Sequence, residues 1–391
     1  MKIERNILFS CTELPEKEKR NLLIFDLIRK RGLISKPEIS KITGINIVSV
    51  TNYVENYIAK KLISERDSEV SSGGRKPELV ELNRKDRCVV GMEIGGDGVY
   101  AALTDLGMKP IAKAGPVRTK ADDTAAVSAS MEDALQEIVK KADRPLETVG
   151  AIGIGMADSR LVSALEAVGR RLGLHVFAGG SAHCAAFGER TLNAVVDDDD
   201  ILYMHSDLGR GIVIKGCVCY GAVGSAAEIE VAAKDPVRLE KDGYDEELAY
   251  LHPWSPRLGA VAVAKAEVCR GVGTKIVDAA HGRADTITLS GIIEASRAKD
   301  KVACDILKTI GINLGVRTAY LVNVFSPKTV VIGGGIDKAG DLVLGPIQNM
   351  VKRFSFKKQA ARVKIIPGIL GDDAVSMGAA ALAVREVFLR A

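Results

Sequence analysis

Aromatic side chains make up only 4% of the 391 residues, with a single Trp, and histidine occurs just five times. The seven cysteines, at positions 11, 88, 184, 217, 219, 269 and 304, are scattered. Cys217 and Cys219 lie close, and on a strand they would share a face. No second pair and no neighbouring histidine completes a zinc set around them. Reduced, packed thiols are therefore expected, with no metal and no cofactor. Long apolar runs are missing too, none approaching the ~18–20 residues that a membrane span needs. The opening MKIERNILFSCTELPEKEKR is charged throughout and has no signal-peptide core. A cytoplasmic protein without a membrane partner is the expectation.

What is present is a globular composition, 47% hydrophobic and 27% charged, in a chain too long for one ordinary core. The net charge of +4 is uneven. Residues 1–87 hold 18 Lys and Arg against 13 Asp and Glu, whereas the other 304 hold 36 against 37. A basic N-terminal segment on a near-neutral body suits an anionic partner for that segment alone.

Residues 20–82 read as a helical module followed by a hairpin. Over residues 20–31, Leu23, Ile24, Leu27 and Ile28 recur at helical spacing, and Gly32 ends the run. Ser35, Lys36, Pro37 and Glu38 form a capping box with proline in the first turn of a second helix that runs to Thr43. Gly44 supplies the tight turn, and Asn46 caps a third helix whose inward stripe is Val50, Val54, Tyr57 and Ile58. This is a helix-turn-helix order. Two extended runs, 62–66 and 78–82, flank the loop DSEVSSGGRKP as the wing of a winged helix would. Lys36, Asn46, Ile47, Val48, Ser49, Thr51 and Asn52, with Arg75 and Lys76 on the wing, are the candidate DNA-contacting residues. Asn52 is able to pair bidentately with adenine, and Arg75 and Lys76 suit a narrow minor groove. For Ile47 and Val48 two readings stay open, packing on the second helix or contact with thymine methyl groups.

From Cys88 the texture becomes glycine-rich α/β. Strands are expected at 89–94, 99–105, 149–155 and 174–178, and helices at 121–142 and 160–172. A second cycle opens at Ile201 with ILYMHS and GIVIKG and includes a strand at 329–332. Two such cycles suggest two lobes across a cleft. The expected domains are 1–87, 88–200 with the C-terminal helix 376–391 packed on it, and 201–375.

The bridge GGRKPELVEL, the opening VVGMEIGGDGVYAALTDLG, and the C-terminal run through VVIGGGIDKAG to GDDAVSMGAAALA resemble the ROK family. This is the group of repressors and sugar kinases with the actin-like ATPase fold. The resemblance implies an α/β protein, a winged helix-turn-helix followed by a two-lobed actin-like (ribonuclease-H-like) body. The helix-turn-helix points to the repressor branch. Gly333, Gly334 and Gly335 then stand as a nucleotide-binding remnant.

The kinases' catalytic parts are altered. Their Glu-Asn-Asp-Ala-Asn-Ala-Ala segment, whose Asp is the general base, matches residues 179–185, with Ser181 at the base position. A serine hydroxyl without a base of its own is not ionised near neutral pH. His183 stands at the second asparagine, where a packed or solvated histidine is the simpler reading. The phosphate loop Gly-Thr-Gly-Ile-Gly-Ala-Gly matches residues 205–211, placing Asp207 where polyphosphate would sit. Glu228 survives from a sugar-binding motif whose histidine is Val231, and the zinc segment is absent. One helix fills the stretch between Gly155 and Leu174, where a sugar-facing loop is normal. Ser181, His183 and Glu228 are the candidate effector residues, and no residue is assigned a catalytic role. The reading is a regulator, a repressor of carbohydrate-related genes, that binds a double-stranded operator as a homodimer or dimer of dimers and has a possible small-molecule effector. A sugar kinase with an unrecognised base and a scaffold that binds no DNA are the alternatives.

Overall fold

A computed structural model describes residues 14–66, 78–95, 98–119, 124–156, 161–193, 200–205, 209–214, 217–219 and 259–391. Two compact units emerge, Met1–Gly188 with Val375–Ala391, and Glu189–Ala374.

The first unit opens with helix α1 (Glu16–Arg31), ended by Gly32 at φ 74°. A short strand β1 (Ile34–Ser35) leads into α2 (Lys36–Thr43). The Ser35 Oγ accepts the Glu38 N–H at 3.3 Å, the expected cap, and Pro37 sits in the first turn where its missing N–H costs nothing. Gly44, left-handed at φ 71°, turns the chain into α3 (Ile47–Ala59), where Asn46 Oδ1 accepts the Ser49 N–H at 2.8 Å. Strands β2 (Ile63–Arg66) and β3 (Leu79–Leu82) pair antiparallel, and β1 adds to β3, giving the order β1-β3-β2. Ile24, Ile28, Ile39, Val50, Val54 and Tyr57 form the core of this module. Ile58 is only half-buried, and Leu23 is exposed, so the first helix buries a narrower stripe than its sequence suggests.

The body of this unit runs β4 (Cys88–Ile94), β5 (Val99–Asp105), β6 (Pro110–Val117), α4 (Thr124–Lys141), β7 (Val149–Met156), α5 (Val162–Leu172), β8 (His175–Gly180) and α6 (Ser181–Leu192). Its sheet order is β6-β5-β4-β7-β8, with β5 alone antiparallel to the rest. Strand β4 is almost wholly buried, as a central strand covered on both faces must be.

The second unit repeats this plan. It contains β9 (Ile201–His205), β10 (Gly209–Ile214), β11 (Cys217–Val218), α7 (Ala260–Cys269), α8 (Ile276–Ala279), α9 (Leu289–Arg297), α10 (Lys301–Phe325), β12 (Thr329–Gly333), α11 (Asp341–Phe354), α12 (Lys357–Ala360) and β13 (Lys364–Pro367). The order β11-β10-β9-β12-β13 and its orientations match the first sheet strand for strand. The two similar strand pairs in the sequence are thus the openings of two equivalent sheets. Helix α13 (Ala374–Leu389) closes the chain, and from Val375 onward it belongs to the first unit. No described helix is long and apolar enough to cross a membrane.

Candidate nucleic-acid interface and effector segment

The start of α3 carries the predicted recognition face. Val50, Val54 and Tyr57 point into the core, which turns Ile47, Val48 and Asn52 outward. Ile47 is 43% exposed and Val48 67%, so much of both side chains faces solvent. Ser49 and Thr51 are half-buried, and the Thr51 hydroxyl donates back to the Ile47 carbonyl at 2.9 Å, leaving oxygen lone pairs free to accept. Asn46 has its Oδ1 committed to the cap and keeps its amide N–H groups outward-capable.

Lys36 is paired within the chain. Its ammonium lies 3.1 Å from Glu65 and 3.3 Å from Glu78, so it ties α2 to the two wing strands. Burial lowers its pKa, but the hydrogen bonds to Glu65 and Glu78 outweigh that and hold it above the ordinary lysine value. Sequence reasoning missed these carboxylates because they lie 29 and 42 positions away and meet Lys36 only through the sheet. Arg75, Lys76 and Glu228 lie outside the described residues, as does Asp207.

In the first unit, α6 begins at the segment matched to the kinase base. Ser181 is 4% exposed, and its Oγ has no hydrogen-bond partner among the described residues. A buried hydroxyl left so costs roughly 1–3 kcal/mol, and a ligand hydroxyl or a water would recover it. His183 is buried with its Nδ1 against Gly180, where an added Cβ would fall 2.7 Å away, so the ring is packed on backbone. Burial pushes the Cys184 thiol well up, which keeps it protonated and inert. No carboxylate occupies the positions from 179 to 185. Helix α5 fills the stretch after β7 as expected.

In the second unit, Gly333 ends β12, and Gly334 and Gly335 follow in left-handed conformation at φ 75° and 82°. A Cβ on Gly333 would fall 2.2 Å from the Tyr203 hydroxyl oxygen, and one on Gly334 would fall 2.6 Å from the His205 ring. These glycines therefore make room for side chains of β9. Burial lowers the His205 pKa to about 4, against a smaller upward pull from Asp372, so the ring is neutral. Asp372 in turn pairs with Lys338 at 2.9 Å beside the turn. The register that pairs Gly333 with His205 has no local signal in the sequence. No group of three or more His, Cys, Asp or Glu placed to hold a metal occurs among the described residues.

Residues 270–386 match the ROK family model. This segment, under a third of the chain, is similar to the ROK family. A xylose repressor of Caldicellulosiruptor bescii is 24% identical over 390 residues, covering 95% of this chain and 96% of that protein. Among solved structures, a ROK family transcriptional regulator described as a homolog of the E. coli MLC protein aligns with a TM-score of 0.73 at 22% identity, over 95% of this chain and 96% of the other. A ROK family glucokinase from Streptomyces griseus, solved with glucose and AMPPNP, aligns at 0.62 and 25% identity over 99% of its own length. The kinase covers only 76% of this chain, so about a quarter of the chain has no counterpart in it, whereas the regulator covers 95%.

Proposed function

We propose that this protein is a sequence-specific DNA-binding transcriptional regulator, a repressor of carbohydrate-related genes, whose body does not phosphorylate sugars. The observation that carries the reading is a helix-turn-helix followed by paired antiparallel strands, with Ile47, Val48 and Asn52 exposed on α3, ahead of an α/β body in which residues 270–386 resemble the ROK family. The end-to-end likeness to a xylose repressor supports the same class of regulated genes. The exposed apolar pair suits thymine methyl groups and Asn52 suits adenine, so the operator is A·T-rich. One recognition helix reads few base pairs, so the operator is also palindromic and the protein a homodimer or dimer of dimers, working in the cytoplasm. Ser181, His183 and Glu228 are the candidate effector residues, and the Ser181 hydroxyl, without a partner among the described residues, is the atom best suited to a ligand's own hydroxyl. Arg75 and Lys76 follow the minor groove and the phosphates.

Selection of duplexes from a random pool, followed by footprinting, tests this. Enrichment of an A·T-rich inverted repeat is the expected result. Lys76→Ala weakens binding to all duplexes alike and flattens the salt dependence, because a phosphate contact carries no sequence information. A G·C-rich site, or no enriched site, overturns the reading. The sugar-kinase alternative draws on the glucokinase likeness, and an ATP-consumption assay with a hexose and amino-sugar panel decides it.

A further inference from the structure

Helix α13 touches three structures of the first unit at once. Its N-terminal half lies on the sheet with no side chain between. A Cβ on Gly91 of β4 would fall 1.8 Å from the Ser376 carbonyl oxygen, and one on Gly153 of β7 would fall 2.0 Å from that of Ala379. In the same stretch Gly378 meets α6 backbone to backbone, since its Cβ would fall 1.8 Å from the Cys184 carbonyl oxygen. Such contacts have no rotamers to absorb a displacement, so a shift of α6 is handed on to α13.

The other end of α13 is seated in the winged helix. Phe388, wholly buried, stacks on Phe25 of α1 at 4.1 Å between centroids and meets Tyr57 of α3 edge-on at 5.0 Å. Asn21 Nδ2 donates to the Phe388 carbonyl oxygen at 2.9 Å, and the Tyr57 hydroxyl donates to the Asn21 carbonyl at 3.0 Å. Lys60, which ends α3, donates to the Arg390 carbonyl at 2.6 Å. The Phe388 carbonyl near the end of α13 and the Arg390 carbonyl just beyond it thus accept from α1 and from the residue that follows α3.

We propose that α13 couples the segment beginning at Ser181 to the recognition helix, with Phe388 as the joint. The backbone contact at Gly378 and the aromatic seat at Phe388 lie about 15 Å apart on one rigid helix. A change at α6 therefore alters the pose of α3, and this is how an effector would alter DNA affinity. The inference rests on the regulator reading, because it takes α3 to hold DNA. Coupling of two sites is reciprocal, so DNA alone must alter α6 even when no small molecule is present.

Hydrogen exchange on the full chain, free and bound to a duplex selected by the same protein, tests this. DNA is expected to slow exchange in peptides covering residues 181–188 by about fivefold or more, the lower end of typical couplings, with peptides of α11 unchanged. In Phe388→Leu, which keeps an apolar side chain without the ring stack, DNA still binds but the α6 response falls below about twofold. Unchanged α6 exchange in the DNA-bound wild-type protein overturns the coupling without any variant. Equal slowing in both units, or a full α6 response in Phe388→Leu, overturns it as well. If the wild-type protein binds no duplex, the regulator reading fails instead, and that outcome is distinct from the others.

Discussion

The start of α3 and the turn after β12 are both places where the sequence suggests contact with phosphate-bearing ligands, and they are built in opposite ways. On α3, Ile47, Val48 and Asn52 are exposed among the described residues. At the turn, the room created by Gly333 and Gly334 is taken by Tyr203 and His205. A surface kept for a partner stays open. The turn after β12 is filled instead by the protein's own side chains, which gain packing there.

The largest expected effect tests the closed region. Sugar-dependent ATP turnover in a coupled assay should be absent for the wild type and for Ser181→Asp, where family kinases reach about 1–100 per second. Turnover in that range for either protein would break the comparison. Next in size is the joint at α13. Phe388→Ala removes a fully buried ring and should lower stability by about 3–5 kcal/mol, read from denaturant titration. On the open side, Asn52→Ala should cost about 1–3 kcal/mol at one base position per half-site and leave stability unchanged. Asn46→Ala removes the cap on the Ser49 N–H and should lower stability by about 1 kcal/mol, seen as a small fall in melting temperature.

A pH dependence tests the turn in another way. The His205 pKa is lowered to about 4, so the folded chain holds the ring neutral while the unfolded chain, at about 6.5, takes up a proton. The stabilisation is complete above about 6.5 and is lost as pH falls from there through about 4. Thermal melts of His205→Gln should fall less than those of the wild type between about pH 7 and pH 5. A slope identical to the wild type would mean that the ring is not buried neutral against Gly334.

Local signals in the sequence were readable where one residue type does one job. Ser35 and Asn46 cap the helices they were expected to cap, and Gly44 makes the turn between them. The two sheets were visible as paired openings because central strands are long and apolar. Strand β1 was not, since two residues show no period, and Ser35 had already been read as a cap. Strand β6 escaped because Pro110, Gly115 and Pro116 read as turn residues. At the sites, the outward face of α3 follows from helical periodicity, whereas the carboxylates around Lys36 and the rings over Gly333 and Gly334 depend on strand register. The seat of Phe388 joins residues at opposite ends of the chain, a distance over which no local pattern reaches.

That seat has a consequence for how the protein is made. Synthesis delivers the N-terminal helices first, at roughly 5–20 residues per second. The pocket between Phe25 and Tyr57 stays open until α13 leaves the ribosome and Phe388 closes it. The core of the N-terminal helices is thus begun early in synthesis and closed only when α13 is made. Nascent chains stalled before residue 374 should be cut by protease within α1 and α3 at sites that the finished protein hides.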